Sequence, residues 1–374
     1  MDISNFPDGV LSSAQLQSLI DYGALSGAQQ ARLQPASLDL SFSARAWRLR
    51  ASFLPSKRRR VSERLDDGLS LRAIDLSNGA VFERGCVYLV ELNEALSLPT
   101  GIIGAANPKS STGRIDVFVR LVTDYGVAFD AIGPEYKGPL YAEVSPRSFS
   151  ILVHEGSSLN QLRLKKGSFA MSDAQTKSLH NDVPLVYEGA STTTPDIAGG
   201  LGLSVALTRN SLNADGLIGW RARRHTALIE VDKPGVLPPE DFFEPIYEQR
   251  AGFIVLDPDE FYILASKESL VIPPDTAAEM TPISPGLGEF RVHYAGFFDP
   301  GFGWSGDSSD TAGSRAVLEV RSHDAPFALE DGQLVARLVY EKMSARPGRL
   351  YGADIKSNYQ GQTLKLSKHF RDAR

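Results

Sequence analysis

Residues 108–114, PKSSTGR, gather a lysine, three hydroxyl side chains and an arginine around one glycine. Such a stretch can hold an anion, because hydroxyls, backbone N–H groups and a cation converge on phosphate oxygens. The same composition also suits a turn between strands, where Pro, Ser and Gly are common. Two glutamates, Glu143 in LYAEV and Glu319 in AVLEV, sit inside apolar runs. Burial raises a carboxylate's pKa and a nearby arginine lowers it, so either could trade protons near neutrality. Strand alternation equally allows an outward-facing glutamate. HYAGFFDPGF (293–302) reads as a compact hairpin, and YGADIKSNYQGQ (351–362) as a segment rich in hydrogen-bond donors. His293 reads as a hairpin or core histidine.

Other chemistries lack their residues. None of the six histidines begins H-x-E, and Cys86 is the only cysteine, so P-C-x-x-C cannot form. A zinc-bound hydroxide of that deaminase type is excluded, as are a cysteine-built structural zinc and an intrachain disulfide. H-E-x-x-H, G-x-S-x-G and the P-loop are absent. Gly301, Gly303 and Gly306 spell G-x-G-x-x-G, but no helical pattern follows, so this is a loop. The net charge of −6 argues against a nucleic-acid partner. The basic run Lys57–Arg60 is followed at once by Glu63, Asp66 and Asp67 and reads as a solvated loop. With no long apolar run and no basic-then-apolar leader, neither membrane nor secretion is expected, and a lone cysteine suits the cytoplasm.

These residues need a scaffold. Apolar residues make up 42% of the 374 residues and charged ones 22%, values for a folded globular chain. SAQLQSLIDY (13–22) reads as a short helix with Leu16, Leu19 and Ile20 on one face. Beyond it come VYLVEL, LYAEV, FIVL, FYILA, AVLEV and LVARLVY, short strand-like runs divided by turn residues. That pattern predicts an all-β fold.

The pattern also repeats. Residues 91–111 align with 265–285 at a shift of 174, bringing Leu96 onto Leu270 and Pro108 onto Pro282. Residues 138–146 align with 314–322 at a shift of 176, bringing Glu143 onto Glu319. The chain therefore reads as a duplicated β-domain, divided into 1–195 and 196–374 at the small, polar stretch 191–202. The copies differ in their polar groups. Opposite PKSSTGR the second copy has PISPGLG, without lysine or arginine, whereas its hairpin and donor-rich tail are the clearer ones. One composite site, with pieces from each copy, accounts for this; drift in idle loops is the alternative.

PKSSTGR, HYAGFFDPGF, AVLEVRS and YGADIKSNYQGQ, with QPASLDLSF (34–42) near the start, together resemble dCTP deaminase of the dUTPase-like superfamily, in a long duplicated form. The resemblance implies a distorted jelly roll, a homo-oligomer, and conversion of dCTP and water to dUTP and ammonia without zinc. Mg²⁺ would accompany the triphosphate, whose charge it offsets. It implies phosphate and water contacts at Lys109, Ser110 and Ser111, and an arginine near the reacting carbon at Arg114. The base would be read by the hairpin around Ala295, and the tail residues Tyr351, Lys356, Gln360 and Gln362 would close over the nucleotide. Glu319 matches the catalytic glutamate, and Glu143 holds the same position in the first copy. Lys109 departs from the family's arginine, keeping the charge but losing the two-pronged fork. A dUTP diphosphatase, with Asp299 or Asp130 orienting water, stays open, as do a bifunctional enzyme and an inactive nucleotide-binding regulator.

Overall fold

A computed structural model of the chain describes residues 5–189, 191–209, 215–284, 290–292 (backbone only), 296–306, 313–322, 324–352 and 364–371. The fold is all-β. In the first half, one sheet runs Ser70–Asp75, Phe42–Leu49, Val87–Ser97, Lys137–Pro146, Val117–Thr123. A second sheet runs Gly9–Val10, Asn160–Lys166, Ile102–Pro108, Ala131–Ile132. The second half repeats this order. Phe243–Tyr247, Leu217–Ala222, Phe261–Leu270, Ser314–Ser322 and Phe290–Val292 lie in one sheet. Leu201–Ser204, Leu334–Lys342, Thr276–Pro282 and Phe297–Phe298 form the other.

The stretch 191–202 is not an open linker throughout. From Leu201 it pairs with Leu338 as sheet, and the helix Asp173–Asp182 before it packs Leu179 against the second half's core.

The halves share apolar interior. One cluster joins first-half residues such as Leu38, Val144 and Phe149 to Trp220, Phe243, Ile263, Val317 and Phe370. Strand Ile151–Val153 pairs with Ala80–Phe82 on one side and, in parallel, with Ile229–Glu230 on the other, stitching the halves together. Phe149, Phe242, Phe243 and Phe370 meet edge to face at 5.3 to 5.6 Å, a geometry aromatic rings favour.

Period-two alternation decides what the central strand Ser314–Ser322 offers. Ala316, Leu318 and Val320 enter the second half's own core, while Val317 reaches the shared cluster against the first half. Glu319 and Arg321 alternate with Leu318 and Val320 and therefore lie on the Val317 face.

Candidate active site

PKSSTGR ends the strand Ile102–Pro108 in a single helical turn, Ser110–Gly113. Lys109 precedes it in extended conformation, and its carbonyl accepts the N–H groups of Thr112 (2.8 Å) and Gly113 (3.0 Å). Asp116 leaves the turn with φ of 55°, a left-handed conformation, and the chain re-enters a strand at Val117.

Glu319 comes from the other half and is buried against this turn. A Cβ placed on Gly113 would lie 2.5 Å from Glu319 Oε2 and 2.6 Å from Oε1. The absence of a side chain at Gly113 is what admits the carboxylate, one residue from Arg114. Arg114 is itself buried, and its Nη1 donates to the Lys365 carbonyl at 2.7 Å. The C-terminal segment 364–371 thus lies along the turn, where Ser367 Oγ also donates to the Ser111 carbonyl at 2.7 Å. His369 and Ser367 are within hydrogen-bond distance, at 2.8 Å. Burial pushes the His369 pKa down to about 4, so the ring is neutral at ordinary pH.

Lys109 Nζ reaches Asp39 Oδ2 at 2.5 Å and Ser158 Oγ at 3.5 Å. Burial, then the neighbouring Lys109 ammonium, pull the Lys368 pKa down, while Asp39 and Asp232 oppose the shift. Two cations and Asp39 thus gather beside the turn, where an added anion would relieve like-charge repulsion. Ser111 is buried and Ser110 half-buried.

The hairpin of the second half is fastened from the first. Gly296 N–H donates to Asn107 Oδ1 at 2.6 Å, two residues before Lys109. Asp299 accepts from Arg163 Nη2 at 3.1 Å, and its carboxyl is raised by burial. Arg163 also donates to the carbonyls of Ala278 (3.0 Å) and Phe298 (3.2 Å) and to Glu341 (3.0 Å). Tyr351 donates its N–H to the Pro300 carbonyl, and its ring lies 5.8 Å from that of Phe302. Ala295, Lys356, Gln360 and Gln362 lie outside the described residues.

Glu143 is not in this cluster. It accepts from Arg120 Nη2 at 2.6 Å and from Ser52 Oγ at 3.0 Å. Arg120 is held over the rings of Phe129 (3.7 Å) and Phe118 (4.8 Å). On the Glu143 face, Tyr141 packs with Phe53, Val61 and Leu65, so residues 50–69 of the same half cover it. On the corresponding face of Ser314–Ser322 lies the other half's turn. Equivalent strands thus carry equivalent glutamates, and what covers each face gives them different surroundings.

The sequence reading passed over Asp39, Asn107, Asp116, Lys368 and Arg321. Asp39 and Arg321 did lie within QPASLDLSF and AVLEVRS, but they, like Asn107, Asp116 and Lys368, acquire meaning only through distant partners, Gly296 for Asn107 and Arg321 for Asp116.

Each half of the chain also resembles known proteins. Residues 7–168 match the family model of the 2′-deoxycytidine 5′-triphosphate deaminase N-terminal domain, and residues 172–370 that of its C-terminal domain. The crystal structure of 2′-deoxycytidine 5′-triphosphate deaminase from Agrobacterium tumefaciens superposes with a TM-score of 0.83 at 46% identity, over 90% of this chain and 99% of that one. A dCTP deaminase of Natronomonas pharaonis is 31% identical over 128 residues, 33% of this chain and 60% of its own. A protein of Methanothermobacter thermautotrophicus named dCTP deaminase, dUMP-forming, is 29% identical over 159 residues, 41% of this chain and 73% of its own. The chain thus spans 60% of the length of the first curated relatives it matches. With both halves matched in order by its two domain models, this chain belongs to the 2′-deoxycytidine 5′-triphosphate deaminase family.

Proposed function

We propose that the chain hydrolyses dCTP to dUTP and ammonia, with Glu319 as the proton-transfer group. The observation carrying this reading is the Glu319 carboxylate lodged against Gly113, beside Arg114, across the two halves. In the proposed reaction a water attacks C4 of cytosine. Glu319 takes a proton from that water and delivers it to the ring nitrogen. The C4–N4 bond then breaks, with the second proton leaving on ammonia. A single carboxylate can serve in both directions when its pKa lies near neutrality. Arg114 contributes positive charge beside the reacting carbon, and Ser111 a contact to water or phosphate. Lys109 and Ser110 hold the triphosphate. Zinc has no part in the proposal.

Mg²⁺ enters with the nucleotide, as part of the substrate. Among the described residues no three His, Cys, Asp or Glu side chains are grouped to hold a metal ion. This donor set fits an ion ligated chiefly by phosphate oxygens and water.

The family also contains dUMP-forming members by name, which makes a diphosphatase step the second reading. In this chain Asp299 is paired with Arg163, and Asp130 accepts the Leu121 N–H at 2.7 Å, so both carboxylates are already committed. We therefore favour deamination alone. Incubating the purified chain with dCTP and Mg²⁺ tests both. Ammonia and dUTP in equal amounts support the proposal, ammonia with dUMP and pyrophosphate favours the second reading, and nucleotide binding without turnover refutes both. Among the described residues no helix is long and apolar enough to cross a membrane. We also propose a homo-oligomer, testable by light scattering, and a cytoplasmic location, testable by cell fractionation.

A further inference from the structure

Glu319 does not meet the turn alone. Two residues along the same strand face, Arg321 crosses to Asp116, three residues beyond Gly113. Arg321 Nη2 lies 2.6 Å from Asp116 Oδ2, and Nε lies 3.1 Å from Oδ1 and 3.2 Å from Oδ2, a two-pronged pair between residues 205 apart. Asp116 is fully buried and the Arg321 side chain is 13% exposed. The pair is braced on both sides. Ser148 Oγ donates to Asp116 Oδ2 at 2.5 Å, the Asp116 carbonyl accepts the Arg147 N–H at 2.9 Å, and Arg321 Nη1 donates to the Asp259 carbonyl at 3.0 Å.

We propose that the Asp116–Arg321 pair is a positioning device that holds the Glu319 strand in register with the Arg114 turn. The proposal rests on the deaminase reading and adds residues that touch neither base nor phosphate in it. Its physical basis is leverage. One contact, Glu319 against Gly113, would let the strand pivot about the turn. A second contact fixes the angle, and strand residues two apart are separated by about 6.6 Å. The planar guanidinium fork supplies direction as well as attraction, which a lysine ammonium could not. The left-handed backbone at Asp116, a conformation Asp and Asn tolerate better than most residues, lets the carboxylate project from the end of the turn. Since the partners come from different halves, the pair exists only when the halves are docked.

The test is a double variant, Asp116→Asn with Arg321→Met, compared with the parent chain and with Arg321→Lys. Removing both charges together leaves no buried charge unpaired, so the double variant should fold and melt close to the parent. Ammonia release from dCTP should fall roughly 10²-fold in kcat, since a displacement of about 1 Å can cost that much, while KM stays within about threefold. Arg321→Lys should fall between. Hydrogen exchange at the Ile115 and Asp116 amides, which close the turn onto the Thr112 and Gly113 carbonyls, should quicken in the double variant. A folded double variant with the parent's kcat overturns the proposal, as does a rise in KM alone. If the parent releases no ammonia, the deaminase reading fails separately. The exchange rates then decide the positioning role, with unchanged rates overturning it.

Discussion

Arg163→Met isolates the contribution of the charge that fastens the hairpin. The Arg163 side chain has no exposed surface and donates to two carbonyls and two carboxylates, with its guanidinium carbon 4.1 Å from the Phe297 ring centre. Methionine is flexible enough to refill much of the volume, so the loss is mainly electrostatic. Glu341 retains Lys165 at 2.5 Å, which leaves Asp299 as the buried carboxylate without a cation. Removing one partner of a buried pair costs about 3–5 kcal/mol. Unfolding entropy of roughly 2 cal/mol/K per residue gives on the order of 0.8 kcal/mol/K for a chain of this length, so melting should fall by about 4–6 °C. The shared interior of the two halves makes one cooperative transition the expectation.

The pH dependence supplies an internal check. Burial already raises the Asp299 carboxyl, and losing the cation raises it further. Between the unfolded and folded pKa values the folded chain holds a proton that the unfolded chain has released. Stability therefore declines as pH rises through that window. The deficit of Arg163→Met should be larger near pH 8 than near pH 5, measured by near-ultraviolet circular dichroism during heating. A variant melting within a degree of the parent at both pH values would refute this account of the hairpin.

Glu319→Gln should slow ammonia release by roughly 10²- to 10⁴-fold while calorimetry still detects dCTP binding; near-parental turnover would remove Glu319 from the chemistry. Glu143→Gln should instead leave turnover within about threefold and lower stability by roughly 1–3 kcal/mol, because Arg120 loses its charged acceptor; a collapse of kcat in a folded Glu143→Gln chain would contradict the structural role of that pair. Asp130, pushed up to about 7 by burial, keeps its proton when folded at pH values where the unfolded chain has lost it, so its contribution worsens as pH rises towards 7. Asp130→Asn, which can still accept the Leu121 N–H, should therefore gain stability over the parent near pH 8 and lose that advantage in acid, read from urea midpoints.

The local half of the site was legible because its signals are local. PKSSTGR shows its donors in seven consecutive residues, and a glycine beside an arginine needs no distant partner to be noticed. The short apolar runs bounded by turn residues predicted strands, and Val87–Ser97, Lys137–Pro146 and Ser314–Ser322 are strands. Composition likewise excludes an intrachain disulfide, because the chain has a single cysteine.

Pairing across the halves was not legible. Glu143 and Glu319 occupy equivalent positions in similar strings, LYAEV and AVLEV, and nothing in either string tells them apart. One is held by Arg120 beneath residues 50–69, and the other is pressed against Gly113. Asp116 and Arg321 look like ordinary turn and strand residues until docking brings them together. By itself the sequence determined the strands, the repeated order and the donors in the turn, since these follow from neighbours in the chain. Tertiary structure alone decided which glutamate faces the turn, because that depends on which surface each strand is packed against, and alternation fixes a side chain's face without saying what covers it.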